Sequence, residues 1–75
     1  MIKSGIYLKI GDIIYFIEIL DNKAVVLRSN EWWTDIFWDD GSSGRIEVRN
    51  LGEFDTTGEN IEYKVKELLA LINFI

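Results

Sequence analysis

Apolar and polar residues alternate along most of this chain with the period of two that is typical of half-buried β-strands. The alternation predicts five strands, at about residues 6–10, 13–20, 24–28, 32–38 and 45–49. Turn-forming residues separate them, notably Gly11-Asp12, residues 21–23 and the Gly- and Ser-containing segment 39–44. Short strands at hairpin spacing predict a mainly β fold, a small antiparallel barrel.

The second predicted strand, residues 13–20, is largely apolar on both faces. Such a strand is typical of a central position that is covered twice, here by a helix or by a second subunit. Ile14 and Phe16 share one of its faces. We therefore regard them as candidates for an oligomer interface.

The end of the chain changes to a helical period, and its apolar stripe comprises Ile61, Val65, Leu68, Leu69 and Ile72. Thr56 followed by Glu59 fits a capping box, so the pattern predicts a helix over about residues 57–73. A strand remains the alternative for residues 61–65, which also alternate. Leu71 and Phe74 lie off the stripe and are further candidates for an oligomer interface.

All three tryptophans and four acids fall within residues 31–44, while residues 29–44 contain no Lys or Arg. Large aromatic side chains beside uncompensated carboxylates suit a surface that binds a partner. The predicted partner-binding residues are Glu31, Trp32, Trp33, Asp35, Phe37, Trp38, Asp39 and Asp40. The alternative is that the tryptophans are core and the acids are loop residues. Since so small a core cannot hold three tryptophans, we expect at least one to be exposed or at an interface.

The net charge of −5 is concentrated in two segments. Residues 29–44 carry four acids and residues 50–60 carry three more, again without a base. If the two segments adjoin, they form one acidic face that repels phosphate and attracts a basic partner. Direct binding of nucleic acid is therefore not expected. The alternative is that these loops only solvate the protein.

Size and composition predict one domain spanning residues 1–75, with a marginal core. The absence of cysteine favours a reducing, cytoplasmic setting. Lys9, Asp12 and Glu18 interrupt the apolar start of the chain, so neither a secretory signal nor a membrane span is predicted.

The side chains that most often carry out catalysis are missing, because the chain has neither His nor Cys. Ser42 and Ser43 have no assigned base. In a calcium-loop alignment of Asp40, Gly41 and Glu47, the first two ligand positions fall on apolar residues that cannot bind the ion. We therefore expect no enzyme activity, no cofactor and no metal, with a loose oxygen-ligand site at Asp39-Asp40 as the alternative to the last.

Three short elements carry a resemblance to a known family. They are Lys9-Ile10-Gly11-Asp12, Glu31-Trp32-Trp33 and Gly41-x-x-Gly44-x-Ile46, in this order. They resemble SH3 domains, and the resemblance spans about residues 9–51 and implies an SH3-like barrel.

SH3 domains bind proline-rich peptides through a tyrosine-bearing N-terminal motif, the first tryptophan of the pair and a Pro-x-x-Tyr motif. Trp32 matches that tryptophan, but the N-terminal motif is absent at residues 5–10. Glu47 stands where the proline would be. The resemblance thus implies the fold rather than this ligand.

The sequence therefore predicts a five-stranded antiparallel SH3-like barrel with a C-terminal α-helix, non-enzymatic, cytoplasmic and acting by binding protein. The leading hypothesis is a small acidic inhibitor or adaptor of the kind carried by phages and mobile elements. It would imitate DNA and occlude the basic surface of a nucleic-acid enzyme. Two alternatives remain: a self-associating structural domain, such as a homodimer, and an SH3-like module that binds peptide or nucleic acid.

Overall fold

The structure, a computed structural model, describes residues 2–74, except for the side chains of residues 68, 69 and 71–74. Within that range the elements are β1 (Asp12–Phe16), β2 (Ile19–Ser29), β3 (Trp33–Trp38), β4 (Ser43–Glu47), β5 (Phe54–Asn60) and α1 (Glu62–Phe74). Two 3-10 helices, Gly5–Tyr7 and Val48–Glu53, precede β1 and β5. The predicted mainly β fold with five strands and a C-terminal helix is confirmed.

The five strands form one sheet in the order β4-β3-β2-β1-β5, and every neighbouring pair is antiparallel. The chain runs from β1 to β4 through consecutive hairpins, and β5 then returns to pair with β1. The 3-10 helix Val48–Glu53 connects the two edge strands of this order. The arrangement is compatible with the SH3-like barrel that the sequence predicts.

The core lies on the inner face of the sheet. The period of two directs Ile14 of β1, Val26 of β2 and Ile36 of β3 into it, and all three are at most 1% exposed. Leu51 of the second 3-10 helix and Phe54 of β5 complete its centre. Burying one such side chain stabilises the fold by about 1.5–3 kcal/mol.

The prediction of a strand at residues 6–10 is wrong, because this segment forms the end of a 3-10 helix and a turn. Local bonds to the backbone compete with strand pairing here. The Ser4 hydroxyl accepts from the Ile6 N–H at 3.4 Å, and the Asp12 carboxylate accepts from the Lys9 N–H at 2.8 Å. Leu8 is buried while Ile6 is 63% exposed, so the alternation does not define one face.

The predicted strand 13–20 is two strands, and the turn between them lies at Ile17-Glu18 rather than at residues 21–23. Phe16 pairs with Ile19, whereas Tyr15 pairs with Lys23, so β2 bulges between these two positions. Asp21 and Asn22 lie in this bulge. Their turn-forming side chains therefore mark an irregularity in β2 and not the hairpin connection.

The predicted helix begins later than residue 57, at Glu62, and a strand precedes it. Sequence reasoning missed β5 because Phe54 is its only apolar residue, so no alternation is visible. The capping box at Thr56 is also wrong. The Asn60 carboxamide oxygen instead accepts from the Glu62 N–H at 2.9 Å, and the open alternative at residues 61–65 is settled as helix from Glu62 onward.

The predicted oligomer interface is wrong for Ile14, which is fully buried in the core of this chain. Phe16 is half-buried and meets Phe54 edge-to-face, with ring centroids 5.2 Å apart. The side chains of Leu71 and Phe74 lie outside the described part of the chain. Among the described residues, no helix has the length and apolar character needed to cross a membrane.

Candidate functional site

The alternation along residues 32–38 predicts that one face carries Trp32, Thr34, Ile36 and Trp38 and the other carries Trp33, Asp35 and Phe37. Strand β3 separates the two faces in this way from Trp33 onward, whereas the prediction is wrong for Trp32, which precedes the strand. Thr34 and Ile36 are buried on the inner face, whereas Trp33, Asp35 and Phe37 are half-buried on the outer face. Trp38, at the end of the strand, packs against the core with its ring 6.2 Å from that of Phe54. Trp32 precedes the strand and is 61% exposed, so the prediction that at least one tryptophan is exposed is confirmed.

The backbone before β3 holds Trp32 and Trp33 in place. The Asn30 side-chain oxygen accepts from the N–H groups of both tryptophans, at 2.8 and 3.0 Å. The Val48 N–H donates to the Trp32 carbonyl at 2.9 Å and ties this segment to the second 3-10 helix. The sequence indicates a turn at Ser29-Asn30 before this strand, but it does not show that the Asn30 side chain binds both tryptophan N–H groups.

Asp35 lies between two arginines that belong to the neighbouring strands. Arg28 of β2 donates to its carboxylate at 2.6 Å and Arg45 of β4 donates at 2.7 Å. The hydrogen bond from Arg45 is the largest influence that holds the pKa of Asp35 below its ordinary value, and Arg28 acts in the same direction against partial burial. The expectation of uncompensated carboxylates is therefore wrong for Asp35.

This arrangement predicts a pH dependence of stability. Because the pKa of Asp35 is lower in the folded protein, its ion pairs stabilise the fold fully above about pH 5, and the contribution is lost as the pH falls through the lowered pKa. Asp35→Asn should therefore lower the urea midpoint at neutral pH. The difference from wild type should vanish at the acid end of the titration, where the wild-type carboxyl is also protonated.

Asp21→Asn is the matched control, because Asp21 is exposed and its carboxylate has no partner in the part of the chain described. Urea titrations over a pH series, followed by tryptophan fluorescence, measure both variants. A midpoint difference between Asp35→Asn and wild type that is independent of pH would contradict the assignment of the ion pairs.

A groove lies at the start of β3 and faces solvent. Its volume is about 440 Å³, and it is lined by Trp32, Trp33, Arg45, Glu47, Val48 and Arg49; we call it the aromatic groove. Arg45 stacks over Trp33 at 4.6 Å from the ring centroid, and Arg49 pairs with Glu47 at 2.7 Å. The groove thus combines apolar ring surface with guanidinium groups that are already oriented.

The loop between β3 and β4 carries two exposed acids, Asp39 and Asp40, which we call the acidic tip. The Asp40 carboxylate accepts from the Ser42 hydroxyl at 2.6 Å and from the Ser42 N–H at 2.9 Å. These bonds, the hydroxyl first, hold the pKa of Asp40 below its ordinary value. Neither carboxylate forms an ion pair with a described residue, so no described Lys or Arg side chain compensates the tip.

The eight predicted partner-binding residues are spread along the whole of β3 and its two ends, and Trp38 among them packs against the core. The aromatic groove and the acidic tip lie at opposite ends of β3, on the order of 20 Å apart for a six-residue strand. Exposed Glu31 adjoins Trp32, whereas Phe37 lies toward the acidic tip. There Phe37 lines an apolar cavity of about 260 Å³ together with Ile13, Val25 and Ile61.

The strands within the two acidic segments, β3 and β5, are not neighbours in the sheet, because β2 and β1 separate them. The sheet order gives no support to one continuous acidic face. Among the described residues, no group of three or more Asp, Glu, His or Cys could hold a metal ion. In comparisons with known proteins, no family model, no curated sequence and no solved structure matched the chain.

Proposed function

We propose that this protein is a non-enzymatic protein-binding module and that the aromatic groove is its binding surface. The observation that carries this proposal is the 61% exposure of Trp32, a large apolar side chain whose backbone is fixed on both sides. Exposed, pre-positioned tryptophan and arginine side chains are the residues that most often dominate binding energy. Trp32, Trp33 and Arg45 supply both types within one groove.

An SH3-like barrel is the fold that we propose for this module. The three resembling elements occupy corresponding places in consecutive order: the turn before β1, the start of β3 and the hairpin from β3 to β4. Trp32, which matches the first tryptophan of the SH3 pair, lines the groove. Glu47 lines it as well, at the position of the family's proline, so we propose a ligand other than a proline-rich peptide.

The acidic inhibitor is the second candidate, and a specific observation favours it. Both carboxylates of the acidic tip are exposed and without an ion pair among the described residues, in a chain of net charge −5. A surface of this kind attracts a basic partner and loses affinity as salt is added. In this candidate the tip would occupy phosphate sites on a nucleic-acid enzyme.

One experiment with matched variants distinguishes the two candidates. Wild type, Trp32→Ala and the double variant Asp39→Asn/Asp40→Asn serve as baits in a lysate of the source organism and against a displayed library of random peptides, at low and at high salt. For the aromatic groove we expect Trp32→Ala to weaken capture at least about thirtyfold, corresponding to a hot-spot loss of about 2 kcal/mol. The double Asn variant should leave that capture unchanged.

Controls are available in the same chain. Tyr63→Ala removes an aromatic side chain of similar exposure, 63%, from α1, and Glu53→Gln/Glu59→Gln removes the same charge as the tip variant from other exposed positions. If capture occurs only at low salt and is lost only in the tip variant, the acidic tip is the binding surface and the acidic-inhibitor candidate is supported in place of the groove. Capture that is insensitive to both variants would refute both sites.

A further inference from the structure

Strand β4 is an edge of the sheet, and its free side can be assigned residue by residue. The Trp38 N–H donates to the Ser42 carbonyl at 2.7 Å, and the Val48 N–H donates to the Trp32 carbonyl at 2.9 Å. In an antiparallel ladder every second pair of opposite residues is hydrogen-bonded. Counting in twos from Ser42 to Val48 therefore makes Gly44 and Ile46 the residues of β4 that bond to β3. The backbone N–H and C=O groups of Ser43, Arg45 and Glu47 consequently point away from the sheet.

This edge is open and regular. Ser43, Arg45 and Glu47 are exposed, and no strand of the described part of the chain pairs with this side of β4. The Glu47 carbonyl also caps the 3-10 helix Val48–Glu53. The pairing of β3 with β4 shows no register shift, whereas β5, the other edge, is interrupted by a shift and by Gly58 at φ +87°. Proteins usually block such an edge, because it is a template for another strand.

The side chains on the edge specify what an incoming antiparallel strand must carry. Arg45 and Glu47 both project from the outer face, so the best partner places an acid opposite Arg45 and a base opposite Glu47. Read along the incoming strand, this requirement is a base followed two positions later by an acid. The segment Arg45-Ile46-Glu47 of this chain has that sequence.

We propose that a second copy of the chain pairs antiparallel along β4, with the twofold axis at Ile46. In this register Arg45 of each copy lies opposite Glu47 of the other, and the outward backbone groups of both residues face the partner strand. An axis at Arg45 would place two arginines in opposition, and an axis at Gly44 would pair Arg45 with Ser43. Of the axes within β4, only the one at Ile46 brings opposite charges together twice, as the symmetry of an isologous interface repeats each contact.

The self-paired sheet continues an arrangement that already exists in one copy. Across β2, β3 and β4, Arg28, Asp35 and Arg45 alternate in charge, and Glu47 of the second copy extends the series. Arg45 and Glu47 also line the aromatic groove, so the two grooves adjoin across the axis. Because only two short strands pair, the dimer is concentration-dependent.

Glu47→Pro tests the proposal. Proline removes the outward N–H without touching the ladder to β3, and the φ of −72° at Glu47 already suits a proline ring. Sedimentation equilibrium over a concentration series should show wild type rising from the 8.7 kDa monomer toward the dimer, and Glu47→Pro remaining monomeric. Glu47→Pro also removes the ion pair between Glu47 and Arg49. Arg49→Gln removes the same ion pair but keeps the N–H of Glu47, so this control should still dimerise.

Amide hydrogen exchange of the wild-type protein tests the register without a variant. As the concentration rises, the N–H groups of Arg45 and Glu47 should become protected, while that of Ser43 should not. A wild-type monomer at every concentration, or a dimer that persists in Glu47→Pro, would overturn the proposal. A monomer whose β4 edge instead binds a displayed peptide, with binding lost in Glu47→Pro, would assign the edge to a foreign strand and equally refute self-pairing.

Discussion

Replacing Gly11 with alanine is expected to destabilise the protein by about 3 kcal/mol, the sum of backbone strain and a steric clash. Gly11 has a φ of +89°, and a Cβ there would fall onto the backbone nitrogen of Glu62. Its own backbone joins three elements, because its N–H donates to the Val26 carbonyl at 2.8 Å and its carbonyl accepts from the Ile61 N–H at 2.9 Å. The substitution therefore disturbs the turn before β1 and the start of α1 together.

Two other glycines separate the strain from the clash. Gly58 shares the left-handed conformation, at φ +87°, but a Cβ there meets nothing within 4 Å, so Gly58→Ala should cost only about 1 kcal/mol. Gly52 has neither feature, and Gly52→Ala should leave stability unchanged. Urea unfolding followed by tryptophan fluorescence ranks the three variants. Equal losses for Gly11→Ala and Gly58→Ala would show that α1 does not pack closely against Gly11.

Ile36→Ala is expected to destabilise the protein by about 3–4 kcal/mol, because it removes a side chain that is 1% exposed and leaves a cavity in the core. Ile19→Ala deletes the same atoms at a position that is 51% exposed, and its loss should stay below about 1 kcal/mol. The free energy of unfolding in urea is the measurement. Similar losses at the two positions would contradict the difference in burial between Ile36 and Ile19.

Either of these large losses takes away a substantial part of the total stability. Small domains are stabilised by roughly 0.1 kcal/mol per residue, and this chain has 75 residues. Thermal unfolding should therefore shift well below that of wild type for Gly11→Ala and Ile36→Ala. The binding variants Trp32→Ala and Tyr63→Ala alter exposed side chains and are expected to keep the wild-type unfolding temperature.

Strand β3 shows which part of the candidate site is predictable from sequence. The alternation in residues 33–38 correctly separates buried Thr34 and Ile36 from Trp33, Asp35 and Phe37. This success has a local cause, since successive side chains of any strand point to opposite faces. The exposure of one tryptophan also follows from volume alone, because so small a core cannot enclose three of them.

The errors share a different cause, which is that strand pairing is not local. The apolar run 13–20 contains the turn at Ile17-Glu18, where the Ile17 N–H donates to the Glu53 carbonyl at 2.9 Å, far away in the sequence. Strand β5 has no apolar alternation, and it forms because its backbone pairs with that of β1. Local patterns carry no information about such partners.

The charge of the candidate site also depends on contacts between strands, which the local sequence does not show. A count of charges along residues 29–44 shows acids without bases, yet Asp35 is neutralised by Arg28 and Arg45, one residue beyond each end of that segment. The carboxylates of Asp39 and Asp40 form no ion pair with a described residue, although β2 reaches the tip through the hydrogen bond from the Asp39 N–H to the Lys23 carbonyl at 3.2 Å. A segment's charge therefore does not give the charge of the surface on which it lies.

By itself the sequence determined the mainly β class, the presence of a C-terminal helix, the two faces of β3 and the exposure of a tryptophan. All four depend on period, composition and volume, which are properties of the chain read in order. Only the tertiary structure decided the strand order, the separation of the aromatic groove from the acidic tip, the neutralisation of Asp35 and the open edge of β4. These depend on which strands become neighbours, and that choice is made by contacts between residues far apart in the chain.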